Sequence, residues 1–196
     1  VLLDMPGAGS VPSGYGHMYS ARANMDAWAA VTQPPDWSAT RAAQVAAAGA
    51  PTSGRWNRVA RHAARLPAQE RLAYVNSYIN HAIRFEDDAR LYGRDDYWAS
   101  AAESLARGRG DCEDYAITKF FSLRWLGLPA EELRLVIVQD TNLRVPHAVL
   151  AVSRGADIYI LDSQVQAVLS HRDVVHYAPV FSINESRWWI HVPRAL

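Results

Sequence analysis

Apolar residues recur at helical spacing along the front of the chain and at strand-like spacing toward its end. From His17 to about Val31, Met18, Ala21, Met25, Trp28 and Ala29 fall on one helical face, and Pro34-Pro35 stops the run. Trp37 to about Ala48 is Ala-rich and predicts a second helix, ended by Gly49 and Pro51. Ser53 can cap a third, with Trp56, Val59, Ala60 and Ala63 on one side and Pro67 as its limit. Ala68 to about Ile83 reads as a fourth, on Leu72, Val75, Ile79 and Ala82. Phe85 to Asp96 is polar, and Asp87-Asp88 there reads as part of a solvated loop. Trp98 to Arg107 predicts a short helix broken by Gly108 and Gly110. Cys112 to Leu126 is apolar around most of its circumference, which predicts a centrally buried helix ended by Gly127 and Pro129.

The periodicity then shortens. Leu133 to Gln139, His147 to Ser153 and Ile158 to Leu161 read as strands, with a hairpin turn at Gly155-Ala156-Asp157. Phe181 to Ile183 and Trp188 to Val192 add two more. Helices followed by a meander of strands is an α+β pattern. The length of 196 residues suits one domain, 1–196, with a helical part at about 17–127 and a sheet part at about 133–192. The Gly-, Pro- and Ser-rich residues 1 to 16 predict an irregular lead-in.

Charge narrows the function. Twenty basic and twenty acidic residues cancel, which argues against a general electrostatic nucleic-acid binder. No apolar run reaches the length of a membrane span, so no membrane insertion is expected. The chain opens Val1-Leu2-Leu3-Asp4 with neither an initiator Met nor a basic segment, so a removed signal peptide or a trimmed terminus is expected.

The single cysteine forbids an internal disulfide and directs attention to Gly108-Arg109-Gly110-Asp111-Cys112-Glu113-Asp114-Tyr115-Ala116. A thiol at a helix N-terminus ionises more readily and becomes a nucleophile. It needs a base and a group to orient that base. His147 opens a strand just after Pro146, and Asp162 ends the next one, so a hairpin brings them side by side. Each has a plainer reading: a buried small residue for Cys112, a hydrogen-bonded pair for His147 and Asp162. His17, His62, His81, His171, His176 and His191 read as packing or surface residues. Trp98 fits a cleft wall or plain packing, and Trp188-Trp189 fits a core edge more readily than a partner-docking patch.

Asp111, Glu113 and Asp114 complicate the picture. They suit an N-cap and a first helical turn. They also crowd Cys112 with negative charge and oppose a thiolate. A hard cation such as Ca²⁺, which takes oxygen ligands in irregular geometry, would resolve the conflict; Zn²⁺ would prefer N and S ligands. The loop from Asp140 to Val145 leads directly into His147 and is the natural second donor.

Four segments together carry a family resemblance: Gly110-Asp111-Cys112-Glu113-Asp114-Tyr115-Ala116, Leu126-Gly127-Leu128-Pro129, Pro146-His147-Ala148-Val149-Leu150 and Tyr159-Ile160-Leu161-Asp162. They resemble the bacterial transglutaminase-like cysteine peptidases. Val75 to Asn80, Asp96 to Ala99 and Ser182 to Glu185 extend the likeness over roughly residues 70 to 190. The resemblance implies a papain-like/transglutaminase-like core with Cys112, His147 and Asp162 as a triad. It implies calcium dependence through Asp111, Glu113 and Asp114, with Asn142 and Val145 as backbone donors. It further implies a periplasmic endopeptidase that cuts a large surface adhesin near its N-terminus at a di-alanine site and so disperses biofilm. An inner-membrane cyclic di-GMP receptor of LapD type is the implied regulator. A transglutaminase-type acyltransferase and an inactive binding module are the alternatives.

Overall fold

A computed structural model describes residues 28–31 and 54–193 of the chain. Five α-helices and nine strands are present among these residues. The helices are α1 (Gly54–Ala63), α2 (Ala68–Ala82), α3 (Asp88–Leu91), α4 (Ala101–Arg107) and α5 (Cys112–Trp125). The strands are β1 (Trp28–Val31), β2 (Arg84–Phe85), β3 (Arg109–Gly110), β4 (Leu133–Asp140), β5 (Val145–Arg154), β6 (Asp157–Leu161), β7 (Leu169–Ser170), β8 (Tyr177–Ile183) and β9 (Trp188–Pro193). Seven strands form one antiparallel sheet in the order β1-β9-β8-β4-β5-β6-β7. The α+β class expected from the sequence is the fold observed.

Helix α5 is the rod around which the rest packs. Every residue from Asp114 to Leu123 is buried, because sheet lies on one side and helices α2 and α4 on the other. Its apolar side chains Ile117, Phe120 and Leu123 join Leu72, Val75 and Ile79 of α2 in one core. Strand β4 alternates as a two-faced strand must. Leu133 and Leu135 face the helices, while Val136 and Val138 enter a second cluster with Val149, Ala151, Ile160, Val174 and Tyr177. Burying both faces removes the usual apolar/polar alternation and explains the continuous apolar runs of β4 and β5.

Four local devices fix the start of α5. Ser100 and Glu103 close a reciprocal capping box on α4. Gly108 ends α4 at φ 63°, the left-handed conformation that favours glycine. Strand β3 then pairs in parallel with β2, with Arg84 N–H donating to Gly108 O at 2.9 Å and Glu86 N–H to Gly110 O at 3.0 Å. The Tyr115 hydroxyl, one turn into α5, donates to Ile83 O at 2.6 Å and locks the helix to the end of α2.

Two expectations change. Trp28–Val31, assigned by spacing to a helix, forms β1 and pairs with β9 from Trp28↔Pro193 to Val31↔Ile190. Four residues carry too little periodicity to outweigh a ladder offered by the free edge of β9. The remainder of that run and the Ala-rich stretch 37–48 lie outside the described residues. Asp87-Asp88 is not simply solvated either: Asp88 opens α3, is buried, and accepts a hydrogen bond from Tyr97 N–H.

Candidate active site

Cys112 is the first residue of α5. Asp111 holds the N-cap position in extended conformation, but its side chain makes no capping hydrogen bond. The Cys112 Sγ lies 2.9 Å from Glu113 Oε2, to which it donates, and it accepts the backbone N–H of Ala148. That second contact sets the sulfur against β5, one residue past His147. Burial raises the thiol pKa well above its ordinary value, and the charge and hydrogen bond of Glu113 and the charge of Asp111 push the same way. The helix dipole, worth about 0.3–1 kcal/mol at an exposed terminus, is outweighed here.

His147 and Asp162 meet as the hairpin predicts. Strands β5 and β6 pair from Leu150↔Leu161 onward, so Asp162 emerges beside the start of β5. His147 Nε2 lies 2.8 Å from Asp162 Oδ1, and both side chains are buried. Asp162 is heavily supported: Tyr177 Oη donates to its Oδ2 at 2.7 Å and Gln164 N–H to its Oδ1 at 2.9 Å. Burial alone would raise the Asp162 pKa. Hydrogen bonds from His147, Tyr177 and Gln164 outweigh that and hold it below the usual carboxylate range. Asn80 Nδ2 donates to the Asp162 carbonyl at 2.8 Å, and Asn76 Nδ2 to the carbonyls of Val165 and Gln166 at 3.0 Å.

The acidic residues split into two roles. One carboxylate oxygen from each of Asp88, Asp111 and Glu113 lies within 4.8 Å of the others. Asp111 Oδ1 is buried with no hydrogen-bond partner among the described residues. Burial, then the charges of Glu113, Asp114 and Asp88, push the Asp111 pKa up to about 10. An all-oxygen donor set that resists ionising on its own fits a hard divalent cation. Asp114 works differently: its Oδ1 accepts the Ala99 N–H at 2.8 Å, tying the lead-in of α4 to α5. Burial raises its pKa to about 7.

Asn142 and Val145 sit at the turn between β4 and β5, which folds on Asp140. Asp140 Oδ1 accepts the N–H groups of Asn142 at 2.8 Å and Leu143 at 2.9 Å, and Thr141 N–H reaches His176 O at 2.9 Å. Tyr177 and the Ala148 N–H were not singled out by sequence reasoning, Asp88 was read only as part of a solvated loop, and Asn80 entered only within the Val75 to Asn80 likeness. Only the asparagines left a signal there: two polar residues at i, i+4 on an otherwise apolar helix face.

Of the other histidines and tryptophans among residues 54–193, His62, His81 and Trp125 are exposed and the rest are buried or half-buried, while His17 and Trp37 lie outside the described residues. His171 is buried with Nδ1 3.1 Å from Ile158 O, and His81 Nδ1 lies 2.7 Å from Ser77 O. His191 bonds Ser182 Oγ at 2.8 Å, and burial, aided by Arg134, lowers its pKa to about 4. Trp188 and Trp189 are buried, the latter under the Arg134 guanidinium. Trp98 is also buried and donates to Asp96 Oδ1 at 3.0 Å.

A thiol at a buried helix N-terminus, set against an antiparallel sheet that carries a histidine–aspartate pair, defines a papain-like or transglutaminase-like cysteine peptidase core. The family model described as bacterial transglutaminase-like cysteine proteinase matches residues 37–195, and the chain belongs to that family. An alpha/beta-hydrolase family model matches residues 1–45, mostly outside the described residues. Among solved structures, Legionella pneumophila LapG is similar at 29% identity and TM-score 0.63, over 77% of this chain and 86% of that one. The calcium-bound form of Legionella pneumophila LapG is similar at TM-score 0.64 with the same identity and coverage. An EGTA-treated form matches at TM-score 0.63, over 77% of this chain and 84% of that one. A search of curated proteins found no match.

Proposed function

We propose that the chain is a calcium-dependent cysteine endopeptidase with Cys112 as nucleophile, His147 as general base and acid, and Asp162 as the group that orients His147. The observation that carries this reading is a pair of contacts at β5: the Cys112 sulfur against the Ala148 N–H, and the preceding residue His147 with its Nε2 2.8 Å from Asp162 Oδ1. In the reaction, the Cys112 proton passes to His147 Nδ1 as sulfur bonds to the scissile carbonyl carbon. His147 then protonates the leaving amine as the C–N bond breaks. A water attacks the resulting thioester, giving a proton to Nδ1 and releasing the acid and the thiol. The Cys112 backbone N–H at the helix start donates to the oxyanion. Asp162 holds Nε2–H throughout and stabilises the imidazolium.

Asp88, Asp111 and Glu113 would hold the cation, with Asp114 bracing the helix start and Asn142 and Val145 as further donors. A bound Ca²⁺ would neutralise the carboxylates that oppose a thiolate at Cys112. The calcium-bound and EGTA-treated LapG structures support this choice of ion. The proposed substrate is the N-terminal region of a large surface adhesin, cut at a di-alanine site in the periplasm. Its release would disperse biofilm under control of an inner-membrane cyclic di-GMP receptor. The family resemblance supports that substrate and setting. No described helix is long and apolar enough to cross a membrane.

The test is cleavage of a di-alanine adhesin fragment by wild type and Cys112→Ala, in calcium and in excess EGTA, with a labelled amine present. We expect cleavage in calcium, none in EGTA, and none by the variant despite an unchanged circular dichroism spectrum. Full activity in EGTA would remove the metal from the reading. Amine incorporation outrunning hydrolysis would make the enzyme an acyltransferase.

A further inference from the structure

Asn76 and Asn80 stand one turn apart on the same face of α2. Asn76 is fully buried and Asn80 is half-buried. Both reach across to the segment that follows β6. Asn80 Nδ2 donates to the Asp162 carbonyl at 2.8 Å and to the Val165 carbonyl at 3.3 Å. Asn76 Nδ2 donates to the Val165 and Gln166 carbonyls, each at 3.0 Å. Every partner is a carbonyl oxygen, so the amide nitrogen of each side chain must be the atom that faces this segment. The bond from Asn80 to Asp162 joins residues 82 apart in sequence. A water would satisfy that carbonyl nearly as well. A side chain anchored on a helix does what a water does not: it fixes where the carbonyl sits.

The same end of α2 also holds the helix that carries Cys112. Three residues after Asn80, the Ile83 carbonyl accepts the Tyr115 hydroxyl of α5 at 2.6 Å. Just beyond, Arg84 N–H donates to Gly108 O at 2.9 Å and Glu86 N–H to Gly110 O at 3.0 Å. Gly110 lies two residues before Cys112. Residues 80–86 therefore grip Asp162 on one side and the start of α5 on the other. Between the two grips, Ile79 and Ile83 are buried in one core with Tyr115 and Ala116. Close packing of that kind transmits a shift at one grip to the other.

We propose that Asn80 is a positioning residue for the triad: it holds the Asp162 backbone in register with the helix that carries Cys112, so that one short stretch of chain locates both the orienting carboxylate and the nucleophile. The proposal rests on the triad reading above. Asn80 touches no reacting atom. It acts through the Asp162 backbone, whereas Tyr177 and the Gln164 N–H hold the carboxylate itself.

The test uses Asn80→Leu, which is close in volume and lacks the donor, with Asn80→Ser as a second variant. Tyr115→Phe opens the other grip, and the Asn80→Leu, Tyr115→Phe double variant opens both. The His147 Nε2–H resonance is followed by NMR in a Cys112→Ala background, and kcat, KM and melting temperature are measured in saturating calcium. Asn80→Leu should shift or broaden that resonance and lower kcat by about 10–100-fold with KM unchanged. Tyr115→Phe should lower kcat and leave the resonance in place, because it displaces the nucleophile and not the pair. The double variant should lose less than the product of the two single losses, since both break one connection. A lower melting temperature with an unmoved resonance and unchanged kcat would make Asn80 a packing residue and overturn the proposal. Strictly multiplicative losses, or failure of both Asn80 variants to fold, would overturn it too. If the wild type cuts no peptide, the resonance still decides the role of Asn80, so the two readings fail separately.

Discussion

Tyr177 shows how much one hydroxyl can decide. It donates to Asp162 Oδ2 at 2.7 Å from a ring buried in the second apolar cluster. A hydrogen bond to a charged acceptor is worth about 1.5–3 kcal/mol. Tyr177→Phe should therefore destabilise the protein by about that much at neutral pH. The pH dependence has a defined sign. A carboxylate held below its unfolded pKa stabilises the fold above that value, and the benefit is lost as pH falls through the folded pKa. Without the hydroxyl the Asp162 pKa rises, so the stability gained between acid and neutral pH should shrink in the variant. Urea unfolding of both proteins across acid to neutral pH would measure it, and parallel curves would count against the assignment. The His147–Asp162 pair and the place of Cys112 at a helix start were legible in sequence, because a hairpin links the first two and a glycine-rich turn precedes the third. Tyr177 was not, because its role depends on β8 lying beside β4, and no local pattern encodes that neighbour.

At the scale of elements, the joint between α4 and α5 is set by closeness rather than by a cap. A Cβ at Gly110 would run into Asp114 Oδ2 and sit 2.7 Å from the Asp114 Cβ. Asp114 cannot retreat without giving up the Ala99 N–H. Gly110→Ala should thus cost about 1–3 kcal/mol, as overpacking does, and should weaken calcium binding because Asp111 and Glu113 move with the helix start. Isothermal calorimetry with calcium alongside thermal melts would show both effects, and a variant with wild-type affinity would separate the joint from the metal cluster. Helix and strand positions were mostly readable, since α2, α5 and β4 to β6 each bury a long, periodic or continuous apolar set. The polar residues 85–96 misled because burial of Asp88 is imposed by Tyr97 and the acidic cluster, not by hydropathy. Asp111 misled in the opposite direction: it has the residue type and backbone of an N-cap, yet its carboxylate is turned to the cluster.

Across the whole molecule, the buried carboxylates couple stability to pH, and on the proposed calcium site they would couple it to a cation as well. Asp114, raised to about 7, and Asp111, raised to about 10, bind protons in the folded state that the unfolded chain releases near pH 4. A raised carboxylate stabilises the fold below its unfolded pKa, and that contribution is lost as pH climbs to the folded value. In EGTA the protein should therefore be more stable at pH 5 than at pH 8. Calcium at pH 8 should restore the loss, because binding to the folded state alone adds stability by mass action. Denaturant midpoints at both pH values, with and without calcium, would test this; a calcium-free midpoint that rises toward pH 8 would contradict it. The α+β class was visible in the order of helices and strands. The sheet order was not, since β8 and β9 return to the other side of β4 from β5, and hydrophobic pattern carries no such address.

The separation of the site between the two halves of the chain has a kinetic consequence. His147 and Asp162 are 15 residues apart on one hairpin and its following loop, a local contact that can form early in folding. Cys112 must arrive on a helix from the other half, and its sulfur finds the Ala148 amide only when α5 has docked. A chain with its strands assembled and its helices still loose holds an acid–base pair with no nucleophile beside it. If the proposed triad is the catalytic one, proteolytic competence is thus the last thing such a chain acquires, and a nascent copy would cut no neighbour before it is whole.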